Sequence, residues 1–135
     1  MSLPVTVEGA PATQGSKKAF KRGKKIVLVE MDTKLPAWRL AVETAAREAA
    51  GDHWKPLNGP LSIHGTIHLP KPRTTKYKTH PLGPPDLDKL QRAIGDALTK
   101  SEVITDDARI VHWNIRKAWA TDKPGATLTI TQEET

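Results

Sequence analysis

Residues 61–69, LSIHGTIHL, carry the clearest strand pattern in the chain. Their odd-numbered positions are apolar or glycine, whereas their even-numbered positions are serine, threonine and histidine. Because successive side chains of a strand point to opposite faces, this alternation predicts a strand with one face in the core and one polar face. We expect the polar face to be a place of contact with a substrate.

An amphipathic helix is predicted on the C-terminal side of this strand, over residues 87–99. Apolar residues recur along it at helical spacing, at Leu87, Leu90, Ile94, Ala97 and Leu98. A second helix is predicted on the N-terminal side of the strand, over residues 35–50. Thr33 is its expected N-terminal cap, Pro36 fits its first turn, and Gly51 ends it.

The remaining strands extend the pattern to both ends of the chain. They are predicted over residues 3–8, 26–29, 110–119 and 126–131. The turn at residues 122–125 predicts that the last two strands form a hairpin. The resulting order is two strands, a helix, a strand, a helix and two strands. It indicates an α+β fold with a small mixed, mostly antiparallel sheet and two main helices.

Two long segments have no predicted helix or strand. Residues 9–23 are rich in glycine, serine, lysine and proline, which favours a mobile loop. Residues 70–85 form a second loop, and loops of this length inside a compact domain are often functional or disordered.

Composition limits the class of protein. The chain has 135 residues, of which 37% are hydrophobic, so we expect one domain over residues 1–135 with a modest core. It has no cysteine, which excludes disulfides and thiolate metal sites. No apolar run is long enough to span a bilayer, and the first residues lack the order of a signal peptide. We therefore expect a soluble cytoplasmic protein without a membrane partner.

The basic residues are segregated along the chain, which has a net charge of +6. Residues 9–29 and 53–85 contain no acidic residue. The basic residues expected to bind DNA in these segments are Lys17, Lys18, Lys21, Arg22, Lys24, Lys25, Lys71, Arg73, Lys76 and Lys78. This segregation is typical of a nucleic-acid binder, although solvated surface lysines and a flexible basic loop would give the same pattern.

Four aspartates contrast with this basic background: Asp86, Asp88, Asp106 and Asp107. Carboxylates held close together repel each other unless a cation lies between them, and hard oxygen ligands suit Mg²⁺ or Mn²⁺. Asp86 precedes the helix and need not have helical backbone angles, so its carboxylate can converge with that of Asp88. The same residues also have a purely structural interpretation, as helix caps and turn formers.

The predicted topology favours the metal-site interpretation. A strand that begins near Arg109, directly after a helix and a short loop, can return beside the start of that helix. We therefore expect Asp106 or Asp107 to face Asp86 and Asp88. Asp96 is ~12 Å further along the helix axis than Asp88, which is too far for a direct ligand. Arg92 lies one turn after Asp88, where it could form an ion pair or neutralise a phosphate.

Two stretches carry a family resemblance. Residues 85–99, PDLDKLQRAIGDALT, and residues 103–110, VITDDARI, resemble the RusA family of Holliday junction resolvases. In that family an Asp-Leu-Asp pair opens a helix, a basic residue follows four places on, and a later Asp-Asp pair precedes a strand. Residues 7–11 and the Gly/Ser/Lys segment after them are similar to the start of the family.

The resemblance implies a homodimeric, Mg²⁺-dependent endonuclease, with Mn²⁺ as an alternative ion and no small-molecule cofactor. Its expected substrate is branched DNA, above all a four-way junction, which it would resolve by paired symmetric nicks. By resemblance, Asp86, Asp88 and Asp107 are catalytic metal ligands, and Asp106 is an adjacent contributor.

Two positions depart from the family pattern. Arg92 stands where the family has a catalytic lysine, and Lys89 stands where the family usually has asparagine. Arginine does not change protonation state in practice, so Arg92 can replace a charge but not a proton donor. Lys89 could pair with a carboxylate or bind a DNA phosphate.

Two other functions fit parts of the sequence. The chain could be a non-catalytic DNA- or RNA-binding module in which the aspartates are only caps. A phosphatase for small phosphoesters is disfavoured, because such a substrate gives no reason for two basic loops.

Overall fold

The computed structural model describes residues 1–15, 17–23, 25–30 and 32–134, with the backbone alone for residues 17–22 and 25–30. The elements in chain order are β1 (Ser2–Glu8), β2 (Lys17–Arg22), β3 (Lys25–Glu30), α1 (Leu35–Ala50), β4 (Leu61–Leu69), α2 (Leu87–Lys100), β5 (Ile110–Trp119) and β6 (Gly125–Gln132). A 3₁₀ turn over Asp107–Arg109 leads into β5.

The main sheet has four strands in the order β1-β6-β4-β5. β6 is antiparallel to both β1 and β4, whereas β4 and β5 are parallel. β2 and β3 form a separate antiparallel pair. The predicted fold class, α+β with a mixed and mostly antiparallel sheet, is confirmed.

The predicted hairpin of the last two strands is wrong. β4 lies between β5 and β6 and pairs with both of them, so that Ile63 has Trp113 on one side and Ile130 on the other. The chain reaches β5 from β4 through α2, a crossover that makes these two strands parallel. A turn signal between two strands shows that the chain reverses, but it does not show which strands pair.

The predicted loop over residues 9–23 is also wrong in part. Residues 17–22, KKAFKR, form β2, which pairs with β3 so that Ala19 lies opposite Leu28. This stretch has no β-branched residue and no clear alternation. Its extended structure therefore depends on pairing with β3, which local sequence does not reveal.

The core lies between one face of the main sheet and the two helices. Trp38, Val42 and Ala46 of α1 are buried, as are Leu90, Ile94 and Leu98 of α2. From β4, Ile63 and Ile67 complete this layer. All members of the predicted stripe of α2 are buried except Leu87, which is half-buried.

The start of α1 differs from its prediction, although the bounds of the helix are as predicted. Lys34 is the N-cap residue, and Thr33 does not cap the helix. No side chain caps α1, but the carboxylate of Asp32 holds the segment before it, because it accepts hydrogen bonds from the backbone N–H of Lys34 at 3.0 Å and of Thr13 at 2.9 Å. Pro36 lies in the first turn, and Gly51 ends the helix at φ 80°, a backbone conformation that favours glycine.

Across the described ranges, neither helix has the length and apolar character needed to cross a membrane.

Candidate functional site

The N-terminus of α2 presents two exposed carboxylates. Asp86 is the N-cap residue, with φ −73° and ψ 136°, and its carbonyl accepts the backbone N–H of Leu90 at 3.0 Å. Its carboxylate makes no capping hydrogen bond, and 58% of its side chain is exposed. Asp88 follows in the first turn and is also exposed. The carboxylate of Asp86 is therefore not occupied in holding the helix.

Lys89 lies beside this pair. Its Nζ is 3.9 Å from Oδ2 of Asp86, which is the pairing considered from the sequence. The carbonyl of Lys89 accepts the backbone N–H of Gln14 at 3.1 Å. This bond brings the segment before β2 alongside the first turns of α2.

Arg92 is held close to the same segment. A Cβ atom added to Gly15 would collide with the Arg92 guanidinium, so the two residues are in direct contact. Gly15 has φ +98°, which other residues rarely adopt. Within the described part of the chain, no ion pair of 4.0 Å or less joins Arg92 to Asp88. The guanidinium therefore lies against the backbone at Gly15, on an exposed side chain.

Asp106 and Asp107, the second pair of aspartates, have different roles. Asp106 caps the 3₁₀ turn, because its Oδ1 accepts the backbone N–H of Ala108 at 3.2 Å. This bond lowers the pKa of Asp106, as does a hydrogen bond that a protonated Asp107 donates to it. The structural interpretation thus applies to Asp106.

The pKa of Asp107 is shifted in the opposite direction, above its ordinary value. Although its side chain remains exposed, partial desolvation against α2 raises its pKa. The hydrogen bond to Asp106 and the negative charges of Asp106 and Asp96 raise the pKa further. The ionised form of Asp107 is therefore destabilised by its surroundings, and a nearby cation would favour it.

The turn that carries Asp107 is held by two residues of the segment before β4, Leu57 and Asn58. Oδ1 of Asn58 accepts hydrogen bonds from Oγ1 of Thr105 at 2.8 Å and from Nε of Arg109 at 3.1 Å. The neighbouring Leu57 exchanges backbone hydrogen bonds with Val103 and Thr105 on the same turn. The segment before β4 thus sets where the turn lies against α2.

Asp107 packs against the middle of α2. Its Cβ would be 3.4 Å from a Cβ placed on Gly95. At 100° per residue, Gly95 lies on the same side of the helix as Asp88 and Arg92, about 10 Å from Asp88 along the axis. Asp96, the next residue, forms an ion pair of 2.5 Å with Arg39.

The carboxylates share a face of α2 without forming a tight cluster. Among the residues that the structure describes, no group of three acidic or histidine side chains is close enough to hold a metal ion. The donor set nevertheless has the chemistry that Mg²⁺ or Mn²⁺ requires, namely carboxylate oxygens at Asp86, Asp88 and Asp107. Binding one ion between α2 and the turn would require these side chains to rotate toward one another.

Comparison with protein families decides the class of the chain. The model of the family described as endodeoxyribonuclease RusA matches residues 8–131. The chain belongs to the RusA family. This membership implies a Holliday-junction-resolving endonuclease whose substrate is branched DNA. A comparison with curated proteins gave no match.

A cavity of about 780 Å³ opens beside the first turn of α2 in this RusA protein. Asp86 and Lys89 lie on its wall, together with Asp32 and Thr13. Its apolar lining consists of Pro11, Leu69, Pro70, Pro72, Pro84, Pro85 and Trp119. The cavity places a rigid apolar surface next to the carboxylate of Asp86.

The basic residues predicted to grip DNA are only partly described. Lys24 and the side chains of Lys17, Lys18, Lys21, Arg22 and Lys25 lie outside the described residues. In the second segment, Lys71, Arg73, Lys76 and Lys78 are exposed. Nζ of Lys71 donates to the carbonyl of Lys78 at 2.6 Å, and the ammonium of Lys76 lies 5.3 Å from the ring centre of Tyr77.

The segment over residues 70–85 has neither helix nor strand, as predicted, but β5 holds it. Nε1 of Trp119 donates to the carbonyl of Tyr77 at 2.7 Å. Nζ of Lys117 donates to the carbonyls of Gly83 at 2.8 Å and Pro85 at 2.9 Å. In this RusA chain, the loop before the acidic helix is therefore tied to the main sheet.

Sequence reasoning missed Lys117, Asn58 and Gly15. Lys117 left a signal, because it stands at a position of β5 where alternation predicts an apolar residue. Asn58 and Gly15 left no such signal, since their roles depend on contacts with residues far along the chain.

Proposed function

We propose that this chain is a metal-dependent endodeoxyribonuclease that resolves Holliday junctions and other branched DNA by paired symmetric nicks. The family match over residues 8–131 carries the proposal. The exposed carboxylates along one side of α2 support it, because they supply hard ligands in a chain of net charge +6.

We assign the metal to Asp86, Asp88 and Asp107, with Asp106 as a neighbour. When bound, Mg²⁺ or Mn²⁺ would activate a water molecule and stabilise the leaving oxygen. Asp86 suits this role because its carboxylate is not occupied in capping the helix. Asp107 suits it because partial desolvation and two nearby carboxyl groups disfavour its negative charge, which a cation would relieve.

Arg92 contributes a positive charge near the scissile phosphate. Its guanidinium lies against the backbone of Gly15, on the exposed side of α2. A permanent cation at this place would stabilise the negative charge that develops on the phosphate in the transition state. Arg92 would act through charge and hydrogen bonding, not through proton transfer.

DNA would lie across the basic loops and the cavity. The proline and tryptophan walls beside Asp86 offer an apolar surface to the nucleotide next to the cut. Lys89 and the exposed residues Lys71, Arg73, Lys76 and Lys78 would neutralise phosphates, as would the basic residues of the segment over residues 17–25. Affinity should therefore fall as the salt concentration rises.

A homodimer would account for paired nicks. A two-fold axis relates two identical sites, and a four-way junction offers two equivalent strands to them. Analytical ultracentrifugation of the free protein and of its junction complex measures this directly: a monomer in both states would contradict the dimer.

The alternative is a DNA- or RNA-binding module without catalysis. One observation favours it, namely the capping bond between Asp106 and Ala108, which gives one of the four aspartates a structural role. The other three acids make no such capping bond among the described residues.

A synthetic four-way junction incubated with Mg²⁺ separates the two functions. The nuclease should produce symmetric nicks that disappear in Asp88→Asn, while junction binding persists. Asp122→Asn, an equal change of charge in the exposed turn before β6, should cleave like the wild type. Tight binding without nicks in the wild type, unchanged by Asp88→Asn, would favour the binding module.

A further inference from the structure

The ammonium group of Lys117 lies against the turn that leads into α2. Its Nζ donates to the carbonyl oxygen of Gly83 at 2.8 Å and to that of Pro85 at 2.9 Å. The two carbonyls flank Pro84, and Pro85 directly precedes Asp86. One cation therefore fixes the backbone immediately before the N-cap residue of α2.

The position of Lys117 in β5 makes this contact notable. Lys117 lies opposite Ile67 of β4, on the side of the strand that alternation gives to Ile115 and Trp119. It is half-buried, and an ammonium group loses hydration there unless its donors are satisfied. The two carbonyls satisfy two of its three donors with charge-assisted bonds, which are stronger than neutral ones.

The sequence of the turn explains why a donor from outside is needed. Pro84 and Pro85 have no backbone N–H, so the turn cannot be tied down through its own donors there. Its carbonyl groups are what remains to be held, and Lys117 binds the two that flank Pro84. Lys117 thus holds a turn that cannot be held through backbone N–H groups at Pro84 and Pro85.

We propose that Lys117 is a positioning residue that sets the direction of the Asp86 carboxylate in the nuclease site. This inference rests on the proposed function, because it assigns Lys117 to the metal-binding role of Asp86. Lys117 acts through the carbonyls of Gly83 and Pro85 and need not touch the DNA. Displacements of about 1 Å in a catalytic group can reduce rates about 100-fold, so a loosened turn should impair cleavage strongly.

The first test compares Lys117→Met with Lys100→Met. Both changes remove one positive charge, and Lys100 is exposed at the opposite end of α2. Loss of two charge-assisted bonds should reduce the cleavage rate at saturating Mg²⁺ about tenfold or more. It should also raise the Mg²⁺ concentration at half-maximal rate, whereas junction binding in Ca²⁺ should change little. Lys100→Met should match the wild type in all three measurements.

Two-dimensional NMR supplies a readout that does not depend on activity. The amide signals of Gly83 and Asp86 should shift in Lys117→Met but not in Lys100→Met. Mn²⁺ should broaden the Asp86 signal at a higher metal concentration in Lys117→Met than in the wild type.

Chemical rescue tests the charge itself. Because the chain has no cysteine, Lys117→Cys can be alkylated at one site only. Treatment with 2-bromoethylamine restores an ammonium group at nearly the length of lysine, whereas iodoacetamide leaves a neutral side chain of similar bulk. The first product should recover the wild-type amide spectrum and cleavage rate, and the second should not. This pair keeps the test valid if Lys117→Met does not fold.

The outcomes separate this inference from the proposed function. A wild-type protein that cleaves no junction would refute the nuclease, and the amide signals of Gly83 and Asp86 would still report whether Lys117 holds the turn. Unchanged amide signals of Gly83 and Asp86 and unchanged cleavage in Lys117→Met would overturn the positioning role. A rise in the junction Kd that accounts for the whole loss of activity would also overturn it, since Lys117 would then be a phosphate contact.

Discussion

Replacement of Gly95 by alanine tests how closely the turn of Asp107 packs against α2. A Cβ at this buried position would lie 3.4 Å from Cβ of Asp107, 3.6 Å from Cζ2 of Trp113 and 3.7 Å from Cδ1 of Ile110. These are ordinary van der Waals distances, so the methyl group fits without displacing its neighbours. The substitution should therefore stabilise the protein and leave the turn in place.

The expected gain follows from two contributions. Alanine is favoured over glycine in a helix interior by about 1 kcal/mol, and burial of one methyl group contributes up to about 0.8 kcal/mol. The sum of these two contributions is an upper limit, because areas taken from the folded structure overestimate the burial on folding. We expect the free energy of unfolding to rise by about 1 kcal/mol, which corresponds to a Tm increase of ~3–4 °C for a chain of this size.

Urea unfolding followed by tryptophan fluorescence measures this gain in the free energy of unfolding. An unchanged m-value would show that the substitution changes only stability. Cleavage of a four-way junction by Gly95→Ala should remain close to wild type. Gly95→Leu is the contrasting variant, because its branched side chain would overlap Asp107 and Trp113. It should lose about 1–3 kcal/mol through overpacking and also lose cleavage. A destabilised Gly95→Ala would refute the packing distances on which this reasoning rests.

Four further predictions concern the site. Arg92→Lys should retain or raise cleavage because it restores the family residue; a loss beyond about tenfold, ~1.4 kcal/mol of barrier, would show that the guanidinium is needed. Asp107→Asn should reduce cleavage more than Asp106→Asn, and equal rates for the two variants would reject this ranking. The pKa of Asp107 is raised in the folded protein above the ordinary value of 3.8, so its protonated form adds stability at low pH that is lost as pH rises through the folded pKa. Asp107→Asn should accordingly be more stable than wild type at pH 7 and equal to it at pH 3 in urea titrations; equal differences at both pH values would contradict the raised pKa. Gly15→Ala should reduce cleavage more than Gly51→Ala, because both positions have positive φ but only at the first would a Cβ displace the Arg92 guanidinium. Similar cleavage rates at similar stability would argue against a role for the contact between Gly15 and Arg92.

The elements with strong local periodicity were predictable from the sequence. α1, β4 and β5 have the predicted bounds, and α2 extends one residue beyond its prediction. In each of them, burial of one face imposes a repeat on the sequence that can be read without knowing the partners. The fold class follows from the order of these elements.

Features that depend on distant partners were not predictable in this way. β2 becomes extended by pairing with β3, and β5 is placed beside β4 by the crossover through α2. Asp32 holds the segment before α1, because its carboxylate binds the backbone N–H of Lys34 and that of Thr13, 19 positions earlier. Local sequence suggested Thr33 instead, since it contains no information about that contact.

The candidate site also contains both kinds of residue, those that local sequence identifies and those whose position depends on distant contacts. Asp86 and Asp88 can be identified locally, because a helix start fixes where they lie. The position of Asp107 depends on Asn58, which binds Arg109 from 51 residues away, and on the absence of a side chain at Gly95. Whether Asp86, Asp88 and Asp107 share an ion stays a prediction.

Exposed acids lie at the start of α2 and at the start of β5, in a chain that is basic overall. Other residues hold the backbone at both places. At the start of α2, the carbonyl of Asp86 bonds within the helix, and Lys117 holds the preceding turn, so the Asp86 carboxylate is not used to cap the helix. At the start of β5, Asp106 caps the turn and Asn58 anchors it, so the turn is held without a backbone bond to the Asp107 carboxylate. Acids that serve only as caps would be bound to backbone N–H groups, which would lower their pKa values and satisfy their charge. Asp107 shows the reverse, a raised pKa beside two other carboxyl groups, which is unfavourable for the protein alone and favourable for binding a cation.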